Sequence, residues 1–228
     1  ALRNWKALGA DLEILVLGNE EGLSQACIET DVRHIPEVAC NSQGTPLISH
    51  LFRLARENSS SPLLAYVNAD ILLMPRWDLD VRERLEFGAG LAQELRQRTM
   101  REGKLHVPAG SDYFIFPRAC FQHIPDFAIG RAGWDNWMIY EARRQRWLTI
   151  DATPDIFIIH QNHDYSHLPG NQPHYHLPET YENIRLAGGK RTVFHLEDVN
   201  RLLAKGRIKK LPFSWKKFWR EVEIFPLV

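Results

Sequence analysis

Apolar residues in this chain come in short blocks separated by polar breaks. Leu12-Glu13-Ile14-Leu15-Val16-Leu17 predicts a strand, stopped by Gly18-Asn19. Asn4 to Leu8 reads as the end of a helix, Glu21 to Thr30 as a helix and Val32 to Val38 as a short strand-like run. The loop Asn41 to Pro46 leads into a helix with Leu47, Leu51 and Leu54 on one face. Pro62-Leu63-Leu64-Ala65-Tyr66-Val67 then predicts a buried strand that ends in the polar tip Asn68-Ala69-Asp70. This alternation argues for an α/β domain with a mainly parallel sheet.

The pattern beyond is less regular. Val81 to Thr99 has helical spacing interrupted by Gly88 and Gly90. Tyr113 to Phe116 is a strand closed by Pro117, and Trp134 to Arg146 a helix with Trp137, Ile139 and Tyr140 as apolar surface. Leu148-Thr149-Ile150 and Ile156 to Ile159 are strands, the second ending at His160. Gln161 to Pro178 is polar, and five of the ten histidines lie between His160 and His176. The chain contains no repeat or low-complexity tract.

Composition narrows the classes. With 228 residues, 44% hydrophobic and 25% charged, the chain suits one globular domain with a C-terminal extension. Lys+Arg and Asp+Glu both number 28, so no global attraction to nucleic acid is expected. Cys27, Cys40 and Cys120 are odd in number and widely spaced. They suggest neither a disulfide framework nor a CxxC zinc site, which fits a reducing, cytoplasmic setting. No stretch reaches the roughly 20 apolar residues that cross a bilayer, and no signal peptide is visible. The start at Ala1-Leu2-Arg3, without Met, fits a processed or trimmed N-terminus.

Three constellations could carry chemistry. Ligands in open α/β sheets gather at the carboxyl ends of strands, which is where Asp70 and Asn68 fall. Mg²⁺ and Mn²⁺ take oxygen ligands and are commonly shared between one or two carboxylates and substrate phosphates. Taken alone, Asp70 reads first as a cap of the following turn, with the metal reading beside it. His160 closes another strand, and if both strands belong to one sheet the two side chains can approach the same ion. His163, Asp164, Tyr165 and His167 would supply surrounding contacts. A His-rich segment alone suggests zinc, and the spacing of His160, His163 and His167 fits a helical site. Pro169-Gly170 and the preceding strand argue for a loop. A surface histidine cluster with ordinary polar roles stays open beside these.

In Gly133-Trp134-Asp135-Asn136-Trp137 a carboxylate lies between two indoles at a helix start. Loss of solvation would raise its pKa toward that of a useful base. An N-cap Asp between packed tryptophans explains the same residues. Gly110-Ser111-Asp112-Tyr113 enters a strand, where Gly lets a ligand approach the backbone or simply makes a turn. Asp78-Leu79-Asp80 matches a D-x-D pattern better than Asn68-Ala69-Asp70 does, but its charged setting reads as a solvated face.

Together these residues resemble a bacterial glycosyltransferase-like family of the glycosyltransferase A fold. The matching stretches are Asn41 to Leu47, Tyr66 to Leu73, Arg76 to Val81, Gly110 to Arg118, Phe127 to Trp137, Ile150 to Thr153 and His160 to His167. They are collinear, and it is their order that makes the resemblance specific. The resemblance implies a Rossmann-like mixed sheet flanked by helices, with a catalytic domain over residues 1–200 and a basic, aromatic extension over 201–228. It implies transfer of a sugar from a nucleotide-diphosphate-sugar donor to an acceptor hydroxyl, assisted by Mn²⁺ or Mg²⁺.

The implied metal ligands are Asp70 and His160, with Asp135 as the acceptor base of an inverting reaction. Donor contacts would come from Asn41, Gly44, Thr45, Asn68, His163, Tyr165 and His167, and acceptor contacts from Asp112, Tyr113 and Trp134. Two departures stand out. The chain begins after the strand that normally opens the fold. Ile71 to Pro75 is only a short link, where the family has a helix and another strand.

Other functions fit the same residues. A metal-dependent nucleotidyltransferase or nucleotide-sugar hydrolase would use Asp70 and His160 with phosphate or water as nucleophile. A non-catalytic nucleotide- or glycan-binding module would use them for affinity alone. In the extension, Lys205, Arg207, Lys209, Lys210, Lys216, Lys217 and Arg220 surround Phe213, Trp215, Phe218 and Trp219. Such a mixture suits a peripheral contact with an anionic membrane surface, such as the inner face, or with a lipid-linked acceptor. It equally suits a helix that packs its aromatic face on the domain.

Overall fold

The computed structural model describes residues 1–74, 89–160 and 173–225, with the backbone alone for 89–93 and 174. The chain divides into two compact units. The first comprises Ala1–Leu105, Asp112–Asp126 and Ile156–Asn162; the second comprises His106–Ser111, Phe127–Asp155 and His163–Val228. Both are mixtures of helices and small sheets, an α/β architecture.

In the first unit, α1 (Leu2–Lys6), β1 (Leu15–Leu17), α2 (Leu23–Thr30), β2 (Arg33–Ile35) and α3 (Ile48–Asn58) precede β3 (Leu63–Val67) and β4 (Ile71–Leu73). Then come α4 (Ala89–Glu102), β5 (Tyr113–Pro117) and, after an excursion into the second unit, β7 (Ile158–His160). Strands β1 and β2 pair in parallel, whereas β3–β5 and β4–β7 are antiparallel. The second unit holds α5 (Trp134–Arg144), β6 (Ile150–Asp151), α6 (Pro178–Ala187), β8 (Arg201–Ala204), β9 (Arg207–Lys210) and α7 (Trp215–Ile224). Its sheet runs β6-β8-β9, the first pair parallel and the second antiparallel.

A mainly parallel sheet is therefore corrected: among the described residues, three of five strand pairings are antiparallel, and the strands form small separate sheets. Apolar runs report burial, not the direction of the partner strand. Residues 201 onward are integrated into the second unit, since β8 pairs with β6 through Ile150–Arg201 and Asp151–Leu202.

The first unit's core explains how β3 is held. Ile48, Leu51 and Phe52 face inward from α3 at helical spacing and are buried. Phe52 stacks on Phe116 of β5 at 5.2 Å, and Phe116 meets Phe121 edge-on at 5.1 Å. Leu64 lies opposite Phe116 across the β3–β5 pair, and both are buried.

The stretch after Asp70 is not a bare link. The Asn68 carbonyl accepts the Ile71 N–H at 3.1 Å, closing a turn whose corner is Ala69-Asp70. The turn takes the chain out of the β3–β5 pair and into β4, which pairs with β7. The other edge of β4 is satisfied by side chains of α1. Asn4 donates from Nδ2 to the Leu73 carbonyl at 3.0 Å and accepts the Leu73 N–H at 2.8 Å, while Trp5 Nε1 donates to the Ile71 carbonyl at 3.0 Å. An amide with one donor and one acceptor thus imitates a neighbouring strand and protects an otherwise open edge.

Candidate functional site

Strand register brings the first unit's polar groups together. Val67 pairs with Tyr113, so Asn68, just after β3, faces Asp112, just before β5. The Asn68 N–H donates to the Asp112 carbonyl at 3.0 Å. Ile71 pairs with His160, so Asp70, just before β4, comes beside the end of β7. The two paired ends deliver two carboxylates and an imidazole to one place.

The side chains form a directed series. Tyr66 Oη donates to Asn68 Oδ1 at 2.7 Å, and Asn68 Nδ2 donates to Asp112 Oδ1 at 3.3 Å. Asp112 Oδ1 lies 3.1 Å from His160 Nδ1, and His160 Nε2 lies 2.9 Å from Asp70 Oδ2. Exposure rises along the series, from 13% for the Asp112 side chain to 31% for His160 and 33% for Asp70. Asp112 is thus the sheltered partner, and Asp70 with Nε2 forms the solvent-facing end.

Residues of this kind suit a divalent cation shared with a ligand. Asp112 stands at ion-pair distance from Nδ1 without the alignment of a hydrogen bond, so its influence on the ring is electrostatic, and Nε2 is the nitrogen turned toward Asp70. Asp70 Oδ2 and His160 Nε2 already converge. Among the described residues no group of three or more His, Cys, Asp or Glu forms a cage that would hold a metal by itself. Two converging ligands fall short of a structural zinc site, which needs four. They could take part in a Mg²⁺ or Mn²⁺ site only with water and ligand oxygens completing the shell.

Asp135 belongs to the second unit and has another environment. It is not the N-cap; that position is Gly133, with φ +106, and Asp135 lies in the first turn of α5. A Cβ at residue 133 would meet Ile184 Cγ1 at 3.3 Å, so both backbone conformation and packing favour glycine. The neighbouring indoles are core: Trp134 and Trp137 are buried, and Trp137 meets Phe127 edge-on at 5.3 Å. At 5% exposure Trp134 offers little surface to an acceptor.

Asn136, also buried, donates from Nδ2 to the carbonyls of Ala109 and Phe194, both at 2.9 Å. It fixes the 106–111 segment so that the Ser111 N–H donates to Asp135 Oδ2 at 3.3 Å. Part of Asp135 reaches solvent, yet its carboxyl lies deep among protein atoms. Desolvation pushes its pKa up to about 6, against the restraining backbone N–H groups of Asn136, Ser111, Asp135 and Gly133.

The remaining expected contacts are partly placed. Asn41 Oδ1 accepts the N–H groups of Gln43 and Thr45, each at 2.9 Å, and the Gly44 N–H donates to the Asn41 carbonyl at 3.1 Å. The 41–45 loop is thus shaped by its own side chain, an Asx turn. Tyr113 is half-buried in β5. His163, Asp164, Tyr165 and His167, and Asp78-Leu79-Asp80, lie outside the described residues.

What sequence reasoning missed is the role of Asp112 as the second carboxylate on His160. Its one signal was a position just before a predicted strand. A shallow recess of about 570 Å³ over α2 and β2, lined by Cys27, Asp31 and His34 among others, contains none of the cluster residues. No family model, curated protein or solved structure matches this chain.

Proposed function

We propose that the protein is a metal-assisted glycosyltransferase that moves a sugar from a nucleotide-diphosphate-sugar to an acceptor hydroxyl. The observation that carries this reading is His160 held between Asp112 and Asp70, with Nε2 and Asp70 Oδ2 converging at 2.9 Å. The ordered sequence motifs add their resemblance to nucleotide-sugar-dependent transferases.

In this reading Asp70 and His160 hold Mn²⁺ or Mg²⁺. The bound cation supplies Lewis-acid stabilisation of the charge developing on a diphosphate leaving group. Asp112, 3.1 Å from His160 Nδ1, would favour that ring orientation electrostatically, and Asn68 donates its amide to Asp112. The resemblance assigns proton acceptance to Asp135, whose desolvated carboxylate, with a pKa of about 6, is ionised and basic near neutral pH. In an inverting transfer the acceptor oxygen bonds to the anomeric carbon, the bond to the diphosphate breaks, and the hydroxyl proton moves to Asp135. The 41–45 loop is assigned to the nucleoside.

Product analysis tests the reaction class. Incubation of the chain and Mn²⁺ with nucleotide-sugars and a panel of hydroxyl acceptors should yield nucleoside diphosphate in step with glycosylated acceptor. Free sugar formed at the same rate with and without acceptors would instead identify a hydrolase. Binding without turnover across donors and acceptors would point to a recognition module.

A further inference from the structure

Helix α7 packs with its apolar side outward. Trp215, Phe218, Trp219 and Val222 recur at the spacing of one helix face. Their exposures are 70%, 44%, 60% and 48%. An amphipathic helix ordinarily turns such a stripe to the core, as α3 does with Ile48, Leu51 and Phe52.

The reversal is built by polar anchors on the other side of α7. Glu221 accepts from Arg143, which is 4% exposed, and from Arg146 at 3.3 Å. Arg220 donates to the Val193 carbonyl at 3.1 Å and lies 4.4 Å over the Phe194 ring. Fully buried Asp198 stands 3.6 Å from both Lys216 and Arg220, and Ile224 supplies the buried apolar contact. Ser214 caps the helix by accepting the Lys217 N–H. These contacts fix the helix on its charged side and leave the aromatic side to solvent.

The exposed rings form a row. Phe213 meets Trp215 at 5.7 Å, Trp215 meets Phe218 at 5.9 Å, and Phe218 meets Trp219 at 5.7 Å. The sequence around the row is rich in cations, of which Lys216 and Arg220 are paired with Glu197, Asp198 and Glu223. Residues 205–225 contain seven Lys or Arg and two Glu in a chain whose net charge is zero. The 205–210 segment, with Lys205, Arg207, Lys209 and Lys210, is exposed throughout.

We propose that α7 and the β9 segment form a docking surface for an anionic lipid membrane. The aromatic row and Val222 would enter the boundary between headgroups and acyl chains, and the exposed Lys205, Arg207, Lys209 and Lys210 would face lipid phosphates. Like charge disfavours pairing this face with a second copy of the chain. Val222 gives the stripe an aliphatic member that has no face to stack on a nucleobase. No helix among the described residues is long and apolar enough to cross a membrane, so the contact is peripheral. The surface stands independently of glycosyl transfer.

Co-sedimentation of the full chain tests it, using vesicles of phosphatidylcholine alone or mixed equally with phosphatidylglycerol. Binding should require phosphatidylglycerol and weaken at high salt. Trp215→Ser with Trp219→Ser, and separately Lys209→Glu with Lys210→Glu, should each lower vesicle partitioning by about tenfold or more. All four positions are exposed, and circular dichroism would verify retention of the fold. Absence of anionic-vesicle binding, equal binding to neutral vesicles, or insensitivity to both double substitutions would overturn the proposal. So would variant-sensitive self-association, or oligonucleotide binding, in place of vesicle binding.

Discussion

Asp70 and Asp135 are the same residue in two opposed settings. Asp70 lies at the corner of a turn, one-third exposed, with an imidazole nitrogen 2.9 Å from its oxygen. Asp135 lies in the first turn of a helix, its carboxyl surrounded by protein and met by backbone N–H groups. The first setting places a carboxylate near solvent beside an imidazole, which under the proposed function would suit a cation shared with phosphate. The second makes the ionised form costly, which under the same proposal would suit a proton acceptor. Carboxylates that do different work are separated by their surroundings, not by their own chemistry.

The sharpest way to break this contrast is to neutralise the buried member. Asp135→Asn should lower transfer by about 10²–10⁴-fold while leaving the Mn²⁺ dependence of donor binding unchanged. Rate measurements alongside binding separate the two effects. Equal loss of donor binding would place Asp135 in recognition instead.

Asp112→Asn comes next. Removing the charge on the Nδ1 side should weaken Mn²⁺ affinity by about 10–100-fold, read by calorimetry with the metal and a nucleoside diphosphate. An unchanged affinity would make Asp112 a strand-end residue without influence on His160.

The contrast also predicts a stability difference. An acid whose pKa is raised by the fold is protonated natively up to about pH 6, but only to about 3.8 in the unfolded chain. Between these values the native state holds the extra proton, so stability rises as pH falls from 6 toward 4. Above pH 6 both states are ionised and the full cost remains, on the order of 3 kcal/mol. Asp135→Asn should therefore be more stable than the parent at pH 8 and should flatten the pH 4–6 slope in urea unfolding. Parallel pH profiles for the two proteins would contradict the desolvated carboxylate.

The smallest expected effect lies behind Asp70. Asn4→Ala removes both side-chain bonds to Leu73, at a cost of about 1–3 kcal/mol. Hydrogen exchange should quicken first at Leu73, whose N–H loses its acceptor.

Several elements were legible in the sequence because their signals are local. The apolar blocks mark β1, β3 and β5, and the spacing of buried residues marks α3 and α5. Strand β4 was read as a link because Ile71–Leu73 is too short to show alternation, and its partner β7 lies more than eighty residues away. The β8–β9 hairpin hid in a cationic segment. Its turn residues, Lys205 and Gly206, both have positive φ, as a two-residue hairpin turn requires, and their N–H groups are taken by Asp155. Helix α6 was also missed, although Pro178 opens it and Gly188 closes it.

At the site, Asp70 and His160 were each visible as polar residues ending apolar runs, and the structure brings them together. Asp112 was named for another role, because only the β3–β5 register shows that it faces Asn68. Pairing register is non-local, and the periodicity of one strand does not contain it.

In the proposed function Asp70 and His160 would hold a divalent cation together with a nucleoside diphosphate. Titration calorimetry of nucleoside diphosphates into the full chain, with Mn²⁺ and with chelator, tests it most directly. Binding should be metal-dependent, abolished by Asp70→Ala and left intact by Asp135→Asn. Binding that is indifferent to metal, or to the loss of Asp70, would contradict it.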